Sequence, residues 1–123
     1  MILVFGGAYQ GKAEYALKHL GAGSVCDVAK EGAPDFTKDM ITGLEGFVLR
    51  SVEQGGDPVE YFASRRTEWE DKILVINDVS QGVVPVDGTL RAAREANGRL
   101  MIYLAGEAEQ VHRVFCGIGK RIK

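Results

Sequence analysis

Apolar residues fall along this chain in two kinds of pattern, short unbroken runs and longer stretches spaced by three and four. The run Ile2-Leu3-Val4-Phe5, closed by Gly6-Gly7, has the length and flank of a buried strand. Behind it Ala13, Ala16, Leu17 and Leu20 recur at helical spacing and Gly21 supplies a stop, which predicts a first helix. Ser24 to Val28 reads as a short second strand. Met40, Ile41, Leu44, Phe47, Val48 and Val52 then step by three and four up to Gly55-Gly56, predicting a helix that begins at Met40. A further helix opens at Asp57-Pro58, with Asp57 as N-cap, Pro58 at the first helical position, Glu60 completing a capping box, and Val59, Phe62 and Trp69 as its apolar face.

Lys72 to Asn77 is the clearest strand, an unbroken apolar run of the sort buried on both faces of a parallel sheet. Ser80-Gln81-Gly82-Val83-Val84-Pro85 reads as a loop of fixed path. A long helix starts near Asp87, with Leu90, Ala93, Leu100, Met101 and Leu104 on its buried face, and Val111 to Cys116 is the last strand. Strands alternating with helices predict an α/β fold, a three-layer P-loop NTPase-like domain with a mainly parallel sheet. Residues 1–123 form one such domain, without repeat, linker or low-complexity tract.

Candidate chemistry sits between the first strand and the first helix. Gly6-Gly7-Ala8-Tyr9-Gln10-Gly11-Lys12-Ala13 follows the template G-x-x-x-x-G-K-[ST]. In that template glycines let backbone N–H groups curl around phosphate oxygens and the lysine reaches the terminal phosphates. Its last position departs from the pattern. Ala13 stands where a hydroxyl ordinarily holds Mg²⁺, so one metal ligand is lost while the amides remain. With 16 glycines in the chain, a glycine-rich turn that binds nothing is the competing reading. The strand before the loop and the helix after it favour a phosphate site, because they put the loop amides at a helix N-terminus.

Composition narrows the rest. A hydrophobic share of 46%, a charged share of 26% and a net charge of -2 are ordinary for a globular domain and give no electrostatic reason to expect nucleic-acid binding. No apolar run approaches a membrane span and no cleavable leader is apparent, so a cytoplasmic protein is expected. Cys26 and Cys116 each lie in an apolar segment without a C-x-x-C partner and read as buried, reduced thiols. His19 and His112 are far apart, and no His, Cys or acidic cluster has zinc-ligand spacing. His112 alternates with Val111 and Arg113 and reads as a surface or edge residue. Arg91, Arg94 and Arg99 read as a solvated helix face.

Several of these residues together resemble a known family. The opening strand and loop with Lys12, Asn77-Asp78-Val79 followed by Gly82-Val83-Val84-Pro85, then Arg94, Gly98 and Arg99, and the ending Gly117-Ile118-Gly119-Lys120-Arg121-Ile122-Lys123 are similar to the adenosylcobinamide kinase and adenosylcobinamide-phosphate guanylyltransferase family of cobalamin biosynthesis. The resemblance covers both ends and the last 50 or so residues of the chain. It implies a nucleotide-dependent transferase that binds GTP or ATP with Mg²⁺ at Gly6, Gly7, Ala8, Tyr9, Gln10, Gly11, Lys12 and Ala13. Adenosylcobinamide would be its acceptor, and self-association into a homo-oligomer is expected.

Under that resemblance Lys12 neutralises the transferred phosphates and Asp78, at the end of a strand, organises metal or substrate. Asp39, ahead of Met40-Ile41-Thr42, is the nearest counterpart of the family's metal-binding acid, with an N-cap of the following helix as its plainer role. Asp27 is a substitute for it. The histidine-rich block that carries the family's guanylylated histidine has no room here, and neither His19 nor His112 matches its position. A catalytically silent nucleotide-binding or interaction paralogue is therefore the alternative.

Overall fold

A computed structural model of the chain describes residues 1–79 and 87–123. Its centre is a six-stranded sheet in the order β2-β3-β4-β1-β5-β6, formed by β1 (Ile2–Gly6), β2 (Val25–Asp27), β3 (Met40–Thr42), β4 (Ile73–Asn77), β5 (Gln110–Phe115) and β6 (Ile118–Arg121). All neighbouring pairs are parallel except β5 with β6. The α/β reading with a mainly parallel sheet therefore holds.

Alternation along the central strands divides the core in two, because successive side chains of a strand point to opposite faces. Leu3, Leu74, Ile76 and Val111 pack on one face against α3 (Leu44–Glu53), α4 (Pro58–Ala63), α5 (Arg66–Trp69) and α6 (Gly88–Glu107), through Leu44, Val48, Phe62, Trp69, Leu100 and Leu104. Val4, Ile73, Val75 and Val114 turn to the other face and meet Ala16 of α1 (Lys12–His19). A four-residue turn of helix, α2 (Val28–Glu31), follows β2 directly. Asp27 caps it by accepting the Ala29 amide at 3.0 Å.

Three elements differ from the sequence expectation. Met40 begins a strand rather than a helix: β3 takes Met40–Thr42, Gly43 turns the chain at φ 74°, and α3 starts only at Leu44. Leu44 and Val48 do form a helical face as expected, and the two residues before the turn share their spacing by coincidence. The helix opening at Asp57 does not run through to Trp69. It stops at Ala63, and Trp69 belongs to the separate α5, its indole N–H donating to the Phe62 carbonyl at 2.8 Å. The chain end, finally, forms β6, joined to β5 by a two-residue turn in which Cys116 (φ 51°) and Gly117 (φ 75°) are both left-handed, the conformation that matches hairpin twist.

Smaller corrections concern exposure. Leu17 and Leu90, assigned to buried helix faces, are 46% exposed each. Cys26 is buried as expected, and burial together with a hydrogen bond to Glu31 pushes its thiol up to about 11. Cys116 is exposed. His112 is buried rather than at an edge, facing α1 from β5. The expected loop from Ser80 to Pro85 lies outside the described residues. Among the described residues no helix is long and apolar enough to cross a membrane.

Candidate functional site

The Gly6–Ala13 segment connects the carboxyl end of β1 to the first turn of α1. β1 lies between β4 and β5 although both come later in the chain, so the loop sits where strand order reverses, the usual location of a ligand crevice in an open α/β sheet. Gly11, left-handed at φ 82°, precedes α1 without any side-chain cap. The first amides of that helix accordingly have no i−4 acceptor.

Both ends of the loop are anchored. At its start the Asp78 amide donates to the Gly6 carbonyl at 2.8 Å, tying β4 to the loop. A Cβ on Gly6 would overlap the Val114 carbonyl of β5, so only glycine fits there. At its tip Gln10 is held by the β5–β6 turn: its carbonyl accepts the Gly117 amide at 2.8 Å and its Oε1 accepts the Cys116 amide at 2.7 Å. Tyr9 beside it is left-handed at φ 59° and fully solvent-exposed.

Lys12 folds back over this loop, its Nζ donating to the Gly7 carbonyl at 2.7 Å. It is 8% exposed. Burial lowers its pKa from the ordinary 10.5, opposed by the charges of Glu45 and Glu14. A cleft of about 360 Å³ opens in front of it, bounded by Lys12, Glu14, Asp27, Thr42, Glu45 and Asn77 among others. Four strand ends thus converge on the cleft: β1 through the loop, β2 through Asp27, β3 through Thr42 and β4 through Asn77.

Glu45 organises the far wall. Sitting in the first turn of α3, it accepts the Asn77 amide at 2.9 Å, closing the end of β4. The Asn77 carbonyl accepts Nδ2 of Asn97, a residue of α6 that is 1% exposed, at 2.9 Å. One polar chain therefore links α3, β4 and α6 behind the cleft.

The predicted site residues separate into those the fold gathers and those it does not. The loop and Lys12 lie together, the amine bonded to the Gly7 carbonyl. Asp78 reaches the loop through its amide, whereas the residue of that strand end that lines the cleft is Asn77. Asp39 is not brought to the loop. It precedes β3, at the opposite end of the strands, and its carboxylate accepts the amides of Gly23 and Ser24 at 2.9 and 3.1 Å. Reading Met40 as the start of a helix put Asp39 at the wrong end of the element. Once β3 is a strand, its functional end is Thr42. Glu45 was missed for the same reason, because inside a longer helix it is one solvated acid among several.

Neither histidine lines the cleft. His19 is exposed on α1, its ring 5.0 Å from that of Tyr15. His112 lies under α1, Nδ1 facing the Tyr15 hydroxyl at 3.0 Å and Nε2 facing Gln110 Oε1 at 2.9 Å. A carboxamide oxygen only accepts, so the Gln110 contact places a hydrogen on Nε2, and in the neutral ring Nδ1 then accepts from the Tyr15 hydroxyl. Burial, then the charge of Arg121, lowers the His112 pKa below its ordinary value. Among the described residues no group of three His, Cys, Asp or Glu has metal-binding geometry. No family model and no curated protein sequence matches the chain.

Proposed function

We propose that this chain is a nucleotide-dependent transferase that binds GTP or ATP at the Gly6–Ala13 loop. The observation carrying the reading is the conjunction of a strand-to-helix glycine loop, an uncapped helix start and a nearly buried lysine, all opening on one cleft. Phosphoryl transfer asks a protein mainly for positioning and charge neutralisation, which backbone amides and a lysine supply. Lys12, now bonded to the Gly7 carbonyl, swings onto the terminal phosphates when they arrive. Asp78 fixes the start of the loop through its amide, which donates to the Gly6 carbonyl at 2.8 Å.

Mg²⁺ enters with the nucleotide. Glu14, Asp27 and Glu45 line the same cleft as Lys12, so a bare polyanionic triphosphate meets three like charges against one opposite charge. A divalent ion on the phosphates would offset part of that repulsion. Ala13 offers no hydroxyl to such an ion, and Thr42 at the end of β3 is the neighbouring hydroxyl in the cleft.

The likeness to the adenosylcobinamide kinase and guanylyltransferase family supports a role in cobalamin biosynthesis with adenosylcobinamide as acceptor. Absence of histidine from the cleft favours the kinase half over transfer through a guanylylated histidine, and it equally supports the second reading, a catalytically silent nucleotide-binding paralogue. Incubation of the protein with Mg²⁺, adenosylcobinamide and GTP labelled at either the α or the γ phosphate separates them. Label from the γ position on the acceptor is the expected result. Binding without any transfer selects the silent paralogue, and absence of nucleotide binding overturns both.

A further inference from the structure

A second cavity adjoins the loop cleft, about 330 Å³ in volume and lined chiefly by apolar side chains, between the start of α3 and the start of α6. Leu49, Val79, Leu90 and Ala93 form its apolar walls, Arg94, half-buried here and not on the solvated face expected of it, adds a charged one, and Glu45 belongs to this cavity and to the loop cleft alike. The volume lies at the small end of the range for ligand pockets. The cavity is also the place where a polar atom lacks its partner. Asn97 lines it and is 1% exposed; its Nδ2 is spent on the Asn77 carbonyl, and its Oδ1 takes no hydrogen bond. An unsatisfied acceptor at such depth costs free energy unless a donor arrives from elsewhere.

We propose that this cavity is the acceptor-substrate site, taking a small molecule or molecular arm with an apolar body and one hydroxyl. The inference rests on the nucleotide reading for the word acceptor, but the cavity's chemistry is independent of it. Apolar walls remove the body from water, and the Asn97 carboxamide oxygen supplies the acceptor that a hydroxyl donor satisfies. Glu45 gives the direction. Its carboxylate stands in the wall common to both cavities, already fixed by the Asn77 amide at 2.9 Å, so a hydroxyl held beside it faces the end of the triphosphate lying over Lys12. Arrangement of the two cavities around one residue is what a two-substrate transfer requires, since the gain from holding two reactants together depends on their contact. Asn97 is then a specificity residue of the acceptor and, through the Asn77 carbonyl, a positioning residue of the cleft wall.

Benzyl alcohol serves as the probe and benzyl methyl ether, which lacks only the donor, as its control, followed by methyl and side-chain amide NMR of the whole chain. The alcohol is expected to give saturable shifts at Leu49, Leu90, Ala93 and the Asn97 carboxamide and to bind about threefold to tenfold more tightly than the ether, the span of one hydrogen bond. Leu49→Trp fills the cavity from its half-exposed side and is expected to abolish those shifts; Ala93→Leu is the second filling variant, should the first lose its fold. Equal affinity for alcohol and ether, shifts scattered over the surface, or shifts that persist in both filled variants would overturn the proposal. Amide shifts of Gly11 and Lys12 on titration with Mg·GTP are read in the same samples. Their absence counts against the nucleotide reading and leaves the result for the cavity standing.

Discussion

Two buried titratable groups carry opposite kinds of information. Lys12 is held with little exposure beside carboxylates, and its lowered pKa means that its charge is given up at a lower pH than an ordinary lysine's. Nucleotide affinity is therefore expected to fall as the pH is raised toward 10.5, earlier than a normal ammonium would allow, and Lys12→Arg is expected to keep affinity level over that range because guanidinium stays charged. A binding titration at several alkaline pH values decides it, and identical profiles for the two proteins would remove Lys12 from the site. His112 reports on folding instead. Its folded pKa lies below 6.5, so the unfolded chain binds more protons as the pH falls through 6.5, and stability drops in that window until the folded pKa is passed. Denaturant midpoints between pH 7 and pH 5 are expected to slope less in His112→Gln, and an unchanged slope would place the acid sensitivity elsewhere.

Among elements, the loop is shaped by its neighbours as much as by its own glycines. The β5–β6 turn donates two amides to Gln10. Gln10→Ala removes the side-chain bond alone, and stability is expected to fall by about 0.5–1.5 kcal/mol in chemical denaturation, since one net hydrogen bond within the fold is lost. Gly6→Ala is the contrasting change. Its Cβ would collide with the Val114 carbonyl across the sheet, so a loss on the order of 1–3 kcal/mol is expected from overpacking, measurable by chemical denaturation.

Legibility in the sequence follows the same division. β1, β4 and α6 announce themselves because burial on one or both faces imposes a long, regular pattern. β3 does not, since three residues cannot display a period, and the clue to its end was Gly43 rather than any apolar residue. β6 is mostly exposed and charged, so it carries no hydrophobic signal at all, and its existence rests on the left-handed pair at Cys116 and Gly117. The site was readable where it is backbone, from Gly6 to Lys12. It was unreadable where it depends on which strand ends meet, which is why Glu45, Thr42 and Asn97 emerge only from the three-dimensional arrangement.

At the scale of the whole molecule, one corner combines the loop tip with unusual apolar exposure. Tyr9 is fully exposed, and the register pair Phe115 and Ile118 is 63% and 75% exposed beside the turn that grips Gln10. Such side chains in one corner make it the place to test for self-association. Light scattering of the protein and of Ile118→Lys provides the check: an oligomer that the substitution dissociates agrees with contact at this corner, and a monomer in both contradicts it.

The proposed function requires an anion cradle closed by Lys12, and calorimetric titration of the protein with Mg·GTP and Mg·ATP tests that most directly. Saturable binding, weakened more than tenfold in Lys12→Ala through loss of a charged hydrogen bond of about 1.5–3 kcal/mol, is the predicted result. Heats that never saturate, or equal affinity in the lysine variant, would contradict it.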